Sequence, residues 1–204
     1  LFGITHGISG MSKQVLGYAL LPRDVDAYFY DRDLMSELFC QGCGARVSNV
    51  RPPLPLHLGK KRQIGSTYDG VILMSSDVAD VMRVHSDAET ASVDTNFGVY
   101  HYFRNVDSIE VDLSFRPVQF ANRCSACGVS AEVSHALPLR LLDDGSISPS
   151  SVKQTSVQFG EGWLRAPMIV VGAAVHEALK QFKPTGLDIA EVYSSSTARW
   201  WKAE

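Results

Sequence analysis

Apolar and polar positions follow the same order twice along the chain, first as a buried strand and then as an amphipathic helix. In the first occurrence an uninterrupted apolar run at residues 71–74 predicts a buried strand. The Ser-Ser-Asp that follows is a favourable helix start. Val78, Val81 and Met82 then occupy positions i, i+3 and i+4, which predicts a helix with one apolar face.

The second occurrence lies near the end of the chain. Residues 169–171 predict another buried strand, and a second helical face follows, formed by Val175, Ala178, Leu179 and Phe182. The sequence Lys-Pro-Thr-Gly at 183–186 predicts the end of this helix, because proline cannot continue it and glycine suits the turn that follows. A final strand is predicted over residues 187–193.

Other segments carry weaker patterns. Residues 14–22 predict a strand ended by proline, and residues 108–115 alternate as a half-exposed strand does. The proline- and glycine-rich stretch 51–70 predicts a long loop. Acidic and aromatic residues interleave at 24–37, where a short helix can lead into the first cysteine pair; the aromatics either turn inward or form a protein interface, and we favour the inward orientation slightly.

The chain has 204 residues, 45% hydrophobic and 20% charged, which suits one core or two tightly packed halves. We predict an α+β fold with two related strand-helix halves. Residues 11–204 form one domain in this interpretation, with halves at about 11–115 and 116–204. Residues 1–10 are interpreted as upstream or cloning-derived sequence, and Met11 as a plausible native start.

Charge and hydropathy exclude some classes of function. The net charge is -3 and the pI is near 6.1, so no overall basic field attracts a phosphate backbone. The basic run at 59–62 is short enough to be a solvated loop. No apolar run has the length of a membrane span, and no signal-like segment is visible, so we expect a cytoplasmic protein with reduced thiols.

All four cysteines lie in two Cys-x-x-Cys-Gly turns, separated by 80 residues. Two such turns supply four sulfurs that can close around one zinc ion, and the glycine after each pair permits the positive φ that such a turn tends to need. We therefore predict that Cys40, Cys43, Cys124 and Cys127 bind a structural Zn²⁺ and join the two halves as a split zinc ribbon. The alternative is one or two disulfides or a redox-active pair.

A shell of four thiolates leaves zinc no open position for water or substrate, so the predicted site is structural rather than catalytic. The zinc-deaminase pattern of His-x-Glu followed by Pro-Cys-x-x-Cys fails, since Arg123 precedes Cys124 and the histidine spacings differ. His85 matches Phe182 in the helix repeat, which predicts partly buried packing. We assign no catalytic residue and expect that the protein is not an enzyme.

The turns CQGCG and CSACG, together with the ending at 166–193, resemble the bacterial double-CXXCG motif family. The resemblance covers roughly residues 38–193, and the turn KPTG departs slightly from the family's turn, which is similar to Gly-x-x-Gly. It implies an immunity protein of a polymorphic toxin system, which neutralises a cognate protein toxin by binding it. It also implies that the four cysteines are the metal ligands.

Two other hypotheses remain open from the sequence. One is a zinc-ribbon protein that binds nucleic acid or regulates another protein, and the other is an enzyme whose site has no sequence signature. The first would show salt-sensitive binding to DNA or RNA, whereas an immunity protein forms a stoichiometric complex with its toxin.

Overall fold

The computed structural model describes residues 14–30, 39–45, 55–114, 119–134 and 137–196. Within these residues the chain is a mixed α+β fold that consists mostly of sheet, with two α-helices. Neither of these helices has the length and apolar content that crossing a membrane requires.

The larger sheet has eight strands drawn from both ends of the chain. In chain order they are β1 (Val15–Pro22), β6 (Ser108–Ile109), β7 (Gln119–Arg123), β8 (Ser130–Ser134), β9 (Arg140–Leu141), β10 (Val152–Glu161), β11 (Ala166–Val171) and β12 (Leu187–Ser194). Their spatial order is β7-β8-β10-β11-β1-β12-β9, with β6 paired to β10. The pairs β10–β6 and β12–β9 are parallel, and the other neighbours are antiparallel.

The smaller sheet has four antiparallel strands. They are β2 (Ile64–Ser66), β3 (Ile72–Ser75), β4 (Glu89–Thr95) and β5 (Gly98–Arg104), in the order β2-β3-β5-β4. A tight turn at Asn96 and Phe97 joins β4 to β5, and Gly98 closes it with a φ of +101°. The Thr95 hydroxyl donates to the Gly98 carbonyl across this turn.

The two helices, α1 (Ser76–His85) and α2 (Ala173–Phe182), share one hydrophobic core. Val78 and Met82 of α1 and Val175 and Leu179 of α2 are each at most 1% exposed. They pack with residues of both sheets, including Met74. The predicted strand-helix repeat is therefore confirmed in position and in the face that each helix buries. The burial of each of these four side chains contributes about 1.5–3 kcal/mol to the stability of the fold.

Two further clusters cover the remaining sheet faces. One packs Phe29, Tyr30 and Phe39 against the smaller sheet. Of the described aromatic residues in the acidic stretch, Phe29 and Tyr30 therefore turn inward, whereas Tyr28 is half-buried and lies against the Tyr68 ring. The other lies on the larger sheet. Ala19 of β1 belongs to this cluster on the larger sheet, and the next residue, Leu20, belongs to the core that the helices share. Successive side chains of a strand point to opposite faces of its sheet, so β1 contributes to both.

Several sequence predictions need correction. The predicted loop at 51–70 contains β2, and the predicted strand at 108–115 is regular only at β6. His85 is exposed, so its predicted packing role is wrong. It occupies the end of α1, where the helix leaves the core. The predicted helix before the first cysteine pair and the start of the chain at 1–10 lie outside the described residues.

Strand β1 links the two predicted halves. It pairs with β12 over seven residue pairs and with β11 on its other side, and both partners come from the second half.

Candidate metal centre

The first cysteine turn, residues 40–45, forms what we call the first knuckle. The Cys40 amide donates to the Ala45 carbonyl at 2.8 Å, and the Gly44 amide donates back to the Cys40 carbonyl at 2.7 Å. Gly44 has a φ of +70°, a conformation that a side chain disfavours. Phe39, 4% exposed, lies in the core of the smaller sheet directly before Cys40, and Ala45 is 1% exposed. The core thus fixes both ends of the knuckle.

The second knuckle, residues 124–129, repeats these bonds position by position. The Cys124 amide donates to the Val129 carbonyl at 2.9 Å, and the Gly128 amide donates to the Cys124 carbonyl at 2.8 Å. Gly128 has a φ of +73°. This knuckle is the connection of the β7–β8 hairpin, and β8 continues the larger sheet through β10. The sequence similarity between the turns is therefore also a similarity of backbone structure.

The fold brings the four predicted ligands together. The Cys40 and Cys124 sulfurs lie 3.7 Å apart, the Cys43 and Cys127 sulfurs lie 3.6 Å apart, and all four lie within 4.8 Å of one another. Zn–S bonds of about 2.3 Å in a tetrahedron place sulfurs about 3.8 Å apart. No disulfide joins these cysteines, because an S–S bond is about 2.05 Å long. The four thiols can therefore hold one metal ion, and they fit the size and the donor preference of zinc.

The knuckles touch each other closely at one point. A Cβ atom at Gly42 would lie 3.1 Å from the Cys124 sulfur and 3.5 Å from the Ala126 Cβ. The residue between the cysteines of the first turn therefore has little room for a side chain. This close approach gives a physical reason for glycine there that does not depend on backbone conformation.

The electrostatics of the four thiols differ from site to site. The amide groups of Cys127 and Ala126 donate to Cys124 and lower the pKa of its thiol to about 7. The Ala45 amide acts in the same direction on Cys43, but burial and the three neighbouring thiols outweigh it and raise the pKa of Cys43 to about 12. Each thiolate repels the next, so without a cation the group loses its first proton readily and its last with difficulty. A divalent cation removes that repulsion.

A buried arginine adjoins the cysteines. Arg165 is 5% exposed, and its Nη1 donates to the carbonyl of Ser130, the residue after the second knuckle. Burial lowers the pKa of Arg165, while negative charge on Cys43 and Cys127 opposes that shift. The sequence does not reveal this residue, because a single arginine in a loop carries no signal of burial.

Residues of the basic run make local contacts. Lys60 of the basic run pairs with Asp26 at 3.0 Å, and Arg62 donates to the Asp24 carbonyl. His101 on β5 lies 3.3 Å from the Ser76 hydroxyl, and His57 is exposed. His135 lies outside the described residues. Among the residues that the structure describes, the four cysteines are the single group of metal-binding side chains that converge.

Comparison with known proteins adds no assignment. No protein-family model matches the chain, and no curated protein is significantly similar to it.

Proposed function

We propose that the chain is an immunity protein that binds and neutralises a cognate bacterial protein toxin, and that its four cysteines hold one structural Zn²⁺ as a split zinc ribbon. The observation that carries the proposal is the convergence of two matching Cys-x-x-Cys-Gly knuckles on one four-sulfur site. These turns are the most specific part of the resemblance to the double-CXXCG motif family.

Zinc is the metal we propose because the donor set consists of four sulfurs in a compact group. In this role Cys40, Cys43, Cys124 and Cys127 are all ligands, and the ion would hold the first knuckle against the β7–β8 hairpin. Zinc supplies no reaction in such a closed shell; it contributes folding free energy. The proposal places the protein in the cytoplasm, where thiols stay reduced and available to metal.

The protein acts by binding rather than by catalysis in this proposal, and its partner is another protein rather than a membrane, a nucleic acid or a small-molecule substrate. Several basic side chains are already engaged with neighbouring acids, including Arg23 with Asp188 and Lys153 with Asp107. The basic run is also used internally. No specific observation therefore favours the alternative of a zinc-ribbon protein that binds nucleic acid.

Two measurements test the two parts separately. Metal analysis of protein purified under reducing conditions should give about one zinc per chain; protein without metal and with all four thiols oxidised would refute the zinc site. For the partner, the reading frame beside this gene should be expressed with and without the protein. We expect toxicity that the protein suppresses, and a 1:1 complex that survives about 0.5 M salt.

A toxin from a different immunity pair, expressed in the same way, is the matched control and should not be neutralised. If no toxin-like reading frame adjoins the gene and no protein complex forms, the immunity function is wrong. Binding to DNA or RNA that weakens steeply with salt would instead support the nucleic-acid alternative.

A further inference from the structure

Arg165 is a buried cation with an incomplete set of hydrogen bonds. It follows the 3-10 turn Gly162–Leu164 and is 5% exposed. Nη1 donates to the Ser130 carbonyl, whereas the enclosed Nε makes no hydrogen bond within the described residues. A guanidinium stays protonated in proteins, and a buried charge is costly unless an opposite charge lies near it. Negative charge beside Arg165 would therefore stabilise the fold.

The segment that carries Arg165 touches both knuckles. Through Ser130 the arginine side chain holds the residue that follows the second knuckle. On the other side, a Cβ atom at Gly162 would lie 3.6 Å from the Cys43 carbonyl oxygen of the first knuckle. Immediately before this turn, Gly160 and Glu161 of β10 pair with β8. Arg165 thus lies where the sheet meets the two cysteine turns.

Cysteine thiols are the described groups beside Arg165 that can carry negative charge. In the part of the chain that the structure describes, no carboxylate lies within ion-pair distance of Arg165. The acidic side chains that adjoin its segment are the cysteines of the two knuckles, because Gly162 approaches the Cys43 carbonyl and Ser130 directly follows the second knuckle. A divalent ion together with four thiolate ligands has a net charge of about -2. One arginine would balance half of that charge.

We propose that Arg165 is the counter-charge of the metal centre, a positioning residue that stabilises the fully deprotonated four-thiolate shell around a divalent cation without itself being a ligand. This inference rests on the metal part of the proposed function and is independent of the toxin. The interaction acts in both directions. The negative charge of the metal-loaded site offsets the cost of burying the guanidinium, and the guanidinium raises the affinity of the site for the metal ion. Groups around metal ligands commonly change metal affinity about 10–100-fold.

The test is zinc affinity, measured on the full chain by competition with a chromophoric chelator. We expect R165M to bind zinc about 10–100-fold more weakly than the wild-type protein, and R165K, which keeps the charge, to recover part of the loss. R140M is the matched control. Arg140 is 3% exposed, but it lies on β9 at the opposite end of the sheet from β7 and β8, so its loss should leave zinc affinity unchanged.

Three results would overturn the inference. They are wild-type affinity in folded R165M, equally weak binding by R165K and R165M, and an equal loss in R140M. A wild-type protein that binds no zinc would overturn it together with the proposed metal site, whereas a failure to bind toxin would not affect it. If R165M does not fold, NMR of the wild-type protein decides: zinc should slow hydrogen exchange at the Arg165 Nε–H, and an unchanged rate would refute the proposal.

Discussion

The Cys40 and Cys124 sulfurs lie 3.7 Å apart although 84 positions separate them in the chain. Cys43 and Cys127 repeat this relationship at 3.6 Å with the same separation. Both contacts run between the knuckles, so a bound ion would close a long loop of the chain. A cross-link of this kind stabilises a fold by restricting the unfolded chain.

The first prediction concerns the metal. Cys124→Ser should reduce the zinc content from about one per chain to nearly none, because a neutral hydroxyl replaces a thiolate ligand. Hydrogen exchange should then speed up most in residues 39–45 and 119–134, which the ion would hold together, and less around α2. Zinc content by elemental analysis and exchange by mass spectrometry measure the two effects.

Ser125→Ala is the matched control, since Ser125 is an exposed residue of the same turn. It should keep full zinc content and wild-type exchange. A Cys124→Ser protein that retains one tightly bound zinc would contradict the four-cysteine site.

The second prediction concerns the core shared by the helices. Leu179→Ala and Met82→Ala should each lower the free energy of unfolding by about 2–5 kcal/mol, because each removes a side chain at most 1% exposed and leaves a cavity. Val84→Ala, also on α1 but 77% exposed, should stay within about 0.5 kcal/mol of the wild-type value. Urea unfolding measures all three. Equal effects at Val84 and Met82 would show that the helix buries a different face.

The third prediction concerns Asp69, a carboxylate 2% exposed. It accepts hydrogen bonds from the amides of Phe29 and Tyr30, at 3.0 and 2.9 Å at the closest, and so fixes the segment that fills the core of the smaller sheet. Asp69→Ala should destabilise the protein by about 1–3 kcal/mol for each amide left unsatisfied.

Asp69→Asn keeps one carbonyl oxygen in place, so it should lower the free energy of unfolding less than the alanine variant does. Urea unfolding measures both variants. If the alanine variant is as stable as the wild-type protein, the two amides have other partners and this structural role is wrong.

The fourth prediction concerns pH. The His176 ring stacks on Tyr18 with centroids 3.6 Å apart, and its side chain is 15% exposed. Burial lowers the pKa of His176 below 6.5, although Glu177 and Glu191 oppose this shift and Lys180 reinforces it. The unfolded chain therefore binds the proton more readily. The stability contributed by neutral His176 is fully present above pH 6.5 and is lost as the pH falls toward the lowered pKa.

The free energy of unfolding should accordingly decrease between about pH 7 and pH 5, and His176→Gln should flatten that dependence. His85→Gln is the control, because this histidine is exposed at the end of the other helix. Urea unfolding across the pH range measures the slope. A slope that persists unchanged in His176→Gln would show that other groups cause it.

The parts of the structure that the sequence predicted are those with a local signal. Val78 and Met82 lie four positions apart, as residues on one helix face do, and both cysteine pairs have the spacing of a metal-binding turn. Each pattern spans only a few residues, so it can be recognised without knowledge of the fold. A local signal also marks the hairpin of β4 and β5, which was not predicted: its Asn-Phe-Gly turn lies between two runs rich in β-branched and aromatic residues.

The parts that the sequence did not predict depend on distant contacts. Strand β7 has no apolar alternation, because this strand stands largely exposed beside the knuckle. Arg165 is buried where two remote cysteine turns meet against the segment that carries it. In the same way, Asp69 lies in a core because its acceptor oxygens reach amides 39 and 40 positions earlier. Composition predicts exposure for both charged side chains, and tertiary structure reverses it.

The placement of β1 between β11 and β12 bears on how the protein is synthesised. A ribosome delivers β1 well before β11 and β12, its two neighbours in the sheet. Until both have been translated β1 exposes two unpaired edges, and the first cysteine pair has no second pair to join until Cys124 and Cys127 are translated. Non-local pairing of this kind slows folding and leaves the nascent chain open to aggregation. Completion of the sheet is therefore a late event in folding. Until then, a newly made chain stays soluble only if the edges of β1 are kept from pairing with other chains.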